Sequence, residues 1–167
     1  MSETGTLHLI CGRAGSGKTT YAKKLEQEKN AIRFSKDEWI IALYGRNIRM
    51  EEWGEFEKRC YGIIANIATK LLQRGVNVIL DYGFWYKKER LEAKERAQSV
   101  GVNSILHYLN TPDEIRRERI SERNLALGKD AVEITDADFD MQLNWFEMPS
   151  SDEGLIIVEV KPEDTQR

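Results

Sequence analysis

Two hydrophobic patterns take turns along this chain. Short apolar runs, LHLIC at 7–11, AIRF at 31–34, VNVIL at 76–80, the stretch 103–109 and LIIVEV at 155–160, read as strands. Between them apolar residues recur at steps of three and four, which reads as helices. Tyr21, Ala22 and Leu25 predict a helix over 19–28, and Trp53, Phe56, Cys60, Ile63, Ile67 and Leu71 predict one buried face on a long helix over 51–74.

Punctuation residues sharpen these boundaries. Ser35 followed by Glu38 reads as a capping box opening the helix WIIALY, with Gly45 closing it. Gly75 and Gly101 end two further helices, the second over 87–100. Thr111-Pro112-Asp113-Glu114 has a cap, a proline for the first helical position and acids for the first turn. A charged helix follows through Arg123, then a polar stretch, then a helix over 135–147 facing Phe139, Leu143 and Phe146 inward. Strand VNVIL ends at Asp81, and 82–85 reads as an aromatic turn. Five strands alternating with helices predict an α/β fold, a parallel sheet covered on both faces, in one domain spanning 1–167.

Composition narrows the class. A 167-residue chain buries enough apolar surface to need no staple, and Cys11 and Cys60 lack metal-ligand spacing. A formal net charge of −3 with interspersed signs argues against a broad polyanion-binding surface. The polar start lacks the pattern of a signal peptide, and no apolar run reaches the roughly 20 residues of a bilayer span, so a soluble, cytoplasmic protein is expected.

The chemistry enters at GRAGSGKT. Gly12, Gly17, Lys18 and Thr19 fit G-x-x-x-x-G-K-[ST] between a strand and a helix, which is the context a P-loop requires. Glycines let backbone N–H groups converge on phosphate oxygens, and the following helix presents its positive end. The nucleotide-binding set is then Gly12, Arg13, Ala14, Gly15, Ser16, Gly17, Lys18, Thr19 and Thr20. Lys18 reaches the β- and γ-phosphates, Thr19 completes a Mg²⁺ shell and Thr20 contacts the α-phosphate. No N-K-x-D guanine signature occurs, which leaves ATP as the donor.

Asp37, just after the second strand, is placed either to accept a proton from an attacking hydroxyl or simply to suit a helix start. Asp81 ends a strand, where it would hold Mg²⁺ or act on the substrate side. Arg116, Arg119 and Arg123 share one helix face, and a lid over about 117–135 would close them on a phosphoryl group: Arg116 on the nucleotide, Arg119 and Arg123 on the transferred charge. Arg117 falls four residues after Asp113, as in a surface ion pair. Trp39, Tyr82, Phe84 and Trp85 form an aromatic set for an acceptor, with the core as their alternative fate, and Arg90 stands ready for an anionic acceptor or a glutamate.

GRAGSGKT, FSKDEW, VILDYGFW with Arg90 downstream, and RRERISERN together resemble the small P-loop kinases that include zeta-toxin-like and polynucleotide-kinase-like enzymes. The resemblance covers most of the chain. It implies a five-stranded parallel sheet of order 2-3-1-4-5, action of Lys18 and the lid arginines on phosphate, and activation of an acceptor hydroxyl by Asp37. The leading expectation is an ATP- and Mg²⁺-dependent kinase acting on a hydroxyl of a small molecule or nucleotide. The alternatives are a kinase for the 5′-hydroxyl end of a nucleic acid, and an ATP-binding switch or ATPase acting on a protein.

Overall fold

The computed structural model describes residues 4–45, 48–126 and 133–165. Five strands, β1 (Thr6–Cys11), β2 (Ala31–Phe34), β3 (Asn77–Gly83), β4 (Asn103–Leu109) and β5 (Ile156–Val160), form one all-parallel sheet in the order β2-β3-β1-β4-β5. The helices are α1 (Lys18–Glu28), α2 (Lys36–Tyr44), α3 (Met50–Gln73), α4 (Lys87–Gln98), α5 (Asp113–Ala126) and α6 (Asp136–Trp145). Among the described residues no helix is long and apolar enough to cross a membrane.

Alternation along the strands divides the core in two. Leu7 and Leu9 of β1, Val78 and Leu80 of β3 and Leu106 of β4 pack with Ile64, Ala68 and Leu72 of α3 and Ala93 and Ala97 of α4. On the other face Ile10, Ile79, Leu109 and Val160 meet Ala22 and Leu25 of α1. Both faces being covered, each inner strand is a nearly continuous apolar run.

Several expectations shift by a residue or two. The long helix forms, but its buried stripe is Cys60, Ile64, Ala68 and Leu72, while Ile63 is 49% and Ile67 36% exposed. Three- and four-residue steps fit either stripe; the small Ala65 and Ala68 let the helix approach the sheet on the second. Leu143 of α6 is likewise exposed, and Gln142 beside it is buried. Strand β3 does not stop at Asp81 but runs to Gly83. Its pairing with β1 slips there, from Leu9 opposite Leu80 to Cys11 opposite Gly83, an extra residue of the kind that re-aims side chains near sites. Ser35 caps α2 by accepting the Glu38 N–H at 3.4 Å, yet the Glu38 carboxylate turns to Arg33, so only half of the box forms. Thr111 does not cap α5; its hydroxyl donates to the Ser16 carbonyl. Of the expected lid, 117–126 continues α5, 133–135 leads into α6, and 127–132 falls outside the described residues.

A polar chain crosses the α1 side of the sheet. His8 Nδ1 lies 2.9 Å from His107 Nε2, and the Tyr21 hydroxyl 2.8 Å from His107 Nδ1. One assignment satisfies both contacts: Tyr21 donates to His107 Nδ1 and His107 Nε2–H donates to His8 Nδ1. Burial pushes both histidines down to about 4, with Lys29 adding to the effect on each and His8 on His107. The unfolded chain takes up protons on these groups near 6.5, so the stability of the neutral pair is full above that pH and is lost as pH falls from about 6.5 toward 4. Urea unfolding is expected to show a loss of up to about 3 kcal/mol per histidine over that window. The double variant His8→Leu/His107→Met should flatten the profile; an unchanged slope would refute the assignment.

Candidate functional site

The P-loop is strung between four other parts of the chain. Gly12 N–H donates to the Gly83 carbonyl at 3.0 Å and the Trp85 indole donates to the Gly12 carbonyl at 3.2 Å. A Cβ at Gly12 would lie 2.7 Å from Ser16 Oγ, and one at Gly15 would lie 2.7 Å from the Arg116 carbonyl. Gly17, at φ 90°, faces Thr165 in the turn after β5. The loop closes on itself where the Arg13 carbonyl accepts both Ser16 N–H (3.2 Å) and the Lys18 ammonium (2.9 Å). Helix α1 then starts from Gly17 with no side-chain cap and no acid in its first turn, so its leading N–H groups and positive end are free for an anion. Thr19 is exposed and Thr20 half-buried at that end.

Both candidate aspartates lie within electrostatic reach of Lys18. Burial inside the loop lowers the Lys18 ammonium, and Asp81 and Asp37 act against that. Burial raises the Asp81 carboxyl, opposed by Lys18 and Arg33. One Asp81 oxygen accepts from Arg33 at 2.9 Å, and the same guanidinium holds Glu38 at 2.7 and 2.8 Å. Arg33 was not foreseen; its place on β2, beside β3, was the available signal. Asp37, in the first turn of α2, is crowded enough for desolvation to raise its carboxyl, with Lys36 lowering, Glu57 raising and Lys18 lowering in turn. More than a third of Asp37 is open to solvent, so that upward push is moderate.

A cavity of about 220 Å³ lies between α3 and α4, lined in part by Lys36, the chain neighbour of Asp37, and by Glu57, Tyr61 and Tyr82. The Tyr82 ring packs against Tyr61 and Phe84 at centroid distances of 5.9 and 5.6 Å. Trp39 instead leans on Phe34 at 5.9 Å and joins the core, and Trp85 serves the P-loop backbone. The expected aromatic set is therefore divided, with Tyr82 and Phe84 at the cavity.

The arginines divide too. Arg90 does not reach an acceptor: it is 0% exposed, bidentate to Glu153 at 2.6 and 2.7 Å, and donates to the carbonyls of Phe84 and Glu147. Gly83 and Phe84 both have positive φ, and Arg90 pins that sharp turn. Arg116 is also 0% exposed, but none of its guanidinium nitrogens makes a hydrogen bond among the described residues. Its ion-pair partner Asp113 stays at 3.7 Å, and burial, followed by Arg13, lowers its pKa to about 10. Arg119 donates to Thr165 Oγ1 and the Pro162 carbonyl, while Arg123 is exposed one turn on. Arg117 does not pair with Asp113, which holds Arg13 instead; it binds Asp136 and Asp140 of α6, with its guanidinium 3.9 Å from the Phe139 centroid. Helix α6 thereby reaches the P-loop, where Gln142 Oε1 accepts the Ala14 N–H at 3.0 Å.

A family model described as an AAA domain matches residues 7–149. Among solved structures the chain is similar to a candidate kinase from Chloroflexus aurantiacus (TM-score 0.75, 20% identity, 96% of this chain and 87% of that one). It is also similar to a sugar kinase from Janibacter sp. (TM-score 0.65, 18%, 96% and 90%) and to the Mycobacterium tuberculosis APS kinase in complex with AMPPNP and APS (TM-score 0.63, 18%, 96% and 90%). At these identities the likeness establishes the fold. No curated protein sequence matches the chain.

Removing one partner of a buried, hydrogen-bonded pair strands the other charge. Arg90→Ala is therefore expected to lower unfolding stability by about 3–5 kcal/mol in urea titration. A loss below about 1 kcal/mol would show that the pair does not hold the β3–α4 turn.

Proposed function

The chain belongs to the AAA domain family, and from that premise we propose that it is an ATP- and Mg²⁺-dependent kinase that phosphorylates a hydroxyl of a small molecule. The observation that carries this reading is the place of Asp37 in the first turn of α2, next in sequence to Lys36 of the cavity lining, with Lys18 and Glu57 both within its electrostatic reach. A carboxylate between a γ-phosphate and an acceptor pocket is where a base for phosphoryl transfer belongs. A cavity of about 220 Å³ holds one ring-sized compound and favours a small acceptor over the end of a nucleic acid.

The remaining roles follow from the loop. Gly12 through Thr20 cradle the phosphates, and Lys18 exchanges the Arg13 carbonyl for phosphate oxygen. Arg116 is a cation deprived of water and of hydrogen-bond acceptors, a cost that a nucleotide phosphate would offset. Arg119 and Arg123, which follow Arg116 along α5, are proposed to stabilise the charge of the transferring group. Thr19, exposed at the start of α1, and the Asp81 oxygen not taken by Arg33 supply the hard oxygen donors that Mg²⁺ prefers, so the residues present fit the ion. Bound there, Mg²⁺ would neutralise charge on the phosphate chain.

Asp37→Asn is expected to reduce phosphate transfer from labelled ATP by about 10²–10⁴-fold while ATP affinity stays within a few-fold. The raised Asp37 carboxyl moves the acid limb of the rate profile upward from where an ordinary aspartate would place it, since protonation removes the base. Full turnover of the Asn variant with its acceptor would refute this assignment.

A further inference from the structure

The α3–α4 cavity carries information on the charge of its occupant. Glu89 and Glu92 lie three residues apart on α4 and share the wall of the cavity. Glu89 uses one oxygen on the Tyr86 N–H, and among the described residues Glu92 pairs with Lys88 at 3.7 Å where both are exposed, a pair that solvent weakens. The cationic side is spent: Lys36 is paired with Glu57, and Arg90 is withdrawn into its buried pair with Glu153. Lys58 adds one exposed ammonium, which leaves three carboxylates against two ammonium groups. Tyr61 and Tyr82 give an aromatic wall on which the face of a saturated ring can rest.

We propose that this cavity takes a single hydroxylated ring bearing an amino group, an amino sugar or aminocyclitol, and discriminates against phosphorylated or carboxylated rings. The assignment rests on the kinase reading above and names the acceptor class for that site. The ammonium lies toward Glu89 and Glu92, the ring lies on Tyr82, and a hydroxyl is left toward Asp37. Transfer would break the bond from the γ-phosphorus to the bridging oxygen of ATP and form one from that phosphorus to the acceptor oxygen. The hydroxyl proton passes to Asp37 and ADP leaves with the electron pair.

Calorimetric titration with three matched probes, D-glucosamine, D-glucose and D-glucuronate, tests the charge order without requiring turnover. Glucosamine is expected to bind about tenfold more tightly than glucose, and glucuronate more weakly than glucose. In Glu89→Gln/Glu92→Gln, with an unchanged unfolding midpoint, the preference for glucosamine over glucose should fall to within about twofold. Glucuronate binding at least as well as glucosamine, a preference untouched by the double variant, or no binding of any probe would each overturn the proposal. The kinase reading fails separately: ATP hydrolysed with no label on any acceptor in a metabolite extract, and no sensitivity to Asp37→Asn, would remove both. An Asp37-dependent transfer to an anionic acceptor would remove only the charge assignment.

Discussion

The absence of a Cβ at Gly12, Gly15 and Gly17 is the constraint around which the molecule is arranged. At each position a side chain would collide within 2.6–2.7 Å with a part of the protein remote in sequence or with the loop itself: Ser16, the α5 backbone, the turn after β5. The loop is thus a knot where β1, β3, α5 and the C-terminal turn meet. Thr111 and Trp85 bind loop carbonyls for the same reason. A parallel sheet brings the carboxyl ends of its strands to one edge, so these contacts come from the topology rather than from local propensity.

Around that knot the same residue type meets opposite fates. Arg90 is buried with every demand met, by Glu153 and by carbonyls of the turn it closes, so it contributes to architecture. Arg116 is equally buried with its hydrogen-bonding capacity unmet among the described residues, held against the Phe139 ring 4.3 Å away. Burying a guanidinium without acceptors is unfavourable, which is why Arg116 is proposed to meet a nucleotide phosphate. Proximity to the site does not separate these two arginines; hydrogen-bond accounting does.

What could be read from the chain was what is local. LHLIC followed by GRAGSGKT forms a strand, loop and helix because each part satisfies its own geometry, and the strand runs at 31–34 and 103–109 match to the residue. The sheet order came from resemblance to a family and holds. What failed was pairing at a distance. Arg117 has Asp113 four residues earlier, yet α6 offers two aspartates and a ring on the other side. Glu38 is one helical turn from Ser35, yet Arg33 from β2 takes its carboxylate. Arg90 had glutamates nearby at 89, 92 and 95, and it pairs with Glu153 instead. Gln142 carries no pattern at all, since its contact with Ala14 exists only because α6 packs back over the loop. Charges choose partners by burial and geometry, and neither is written in spacing along one helix.

Strand β3 shows how donor and acceptor sides can be built from one segment. Because side chains alternate, Asp81 lies on the same side as Ile79, with Arg33 and Lys18, while Tyr82 follows Leu80 toward α3 and α4. The register slip against β1 falls at these residues, where a regular ladder would have continued past the loop. One residue of β3 therefore belongs to the phosphate side and the next to the cavity, with Asp37 on α2 as the group that feels both. Under the proposed kinase reading, the donor would be set by the knot at β1, and the acceptor by whatever side chains α3 and α4 present across the aromatic wall.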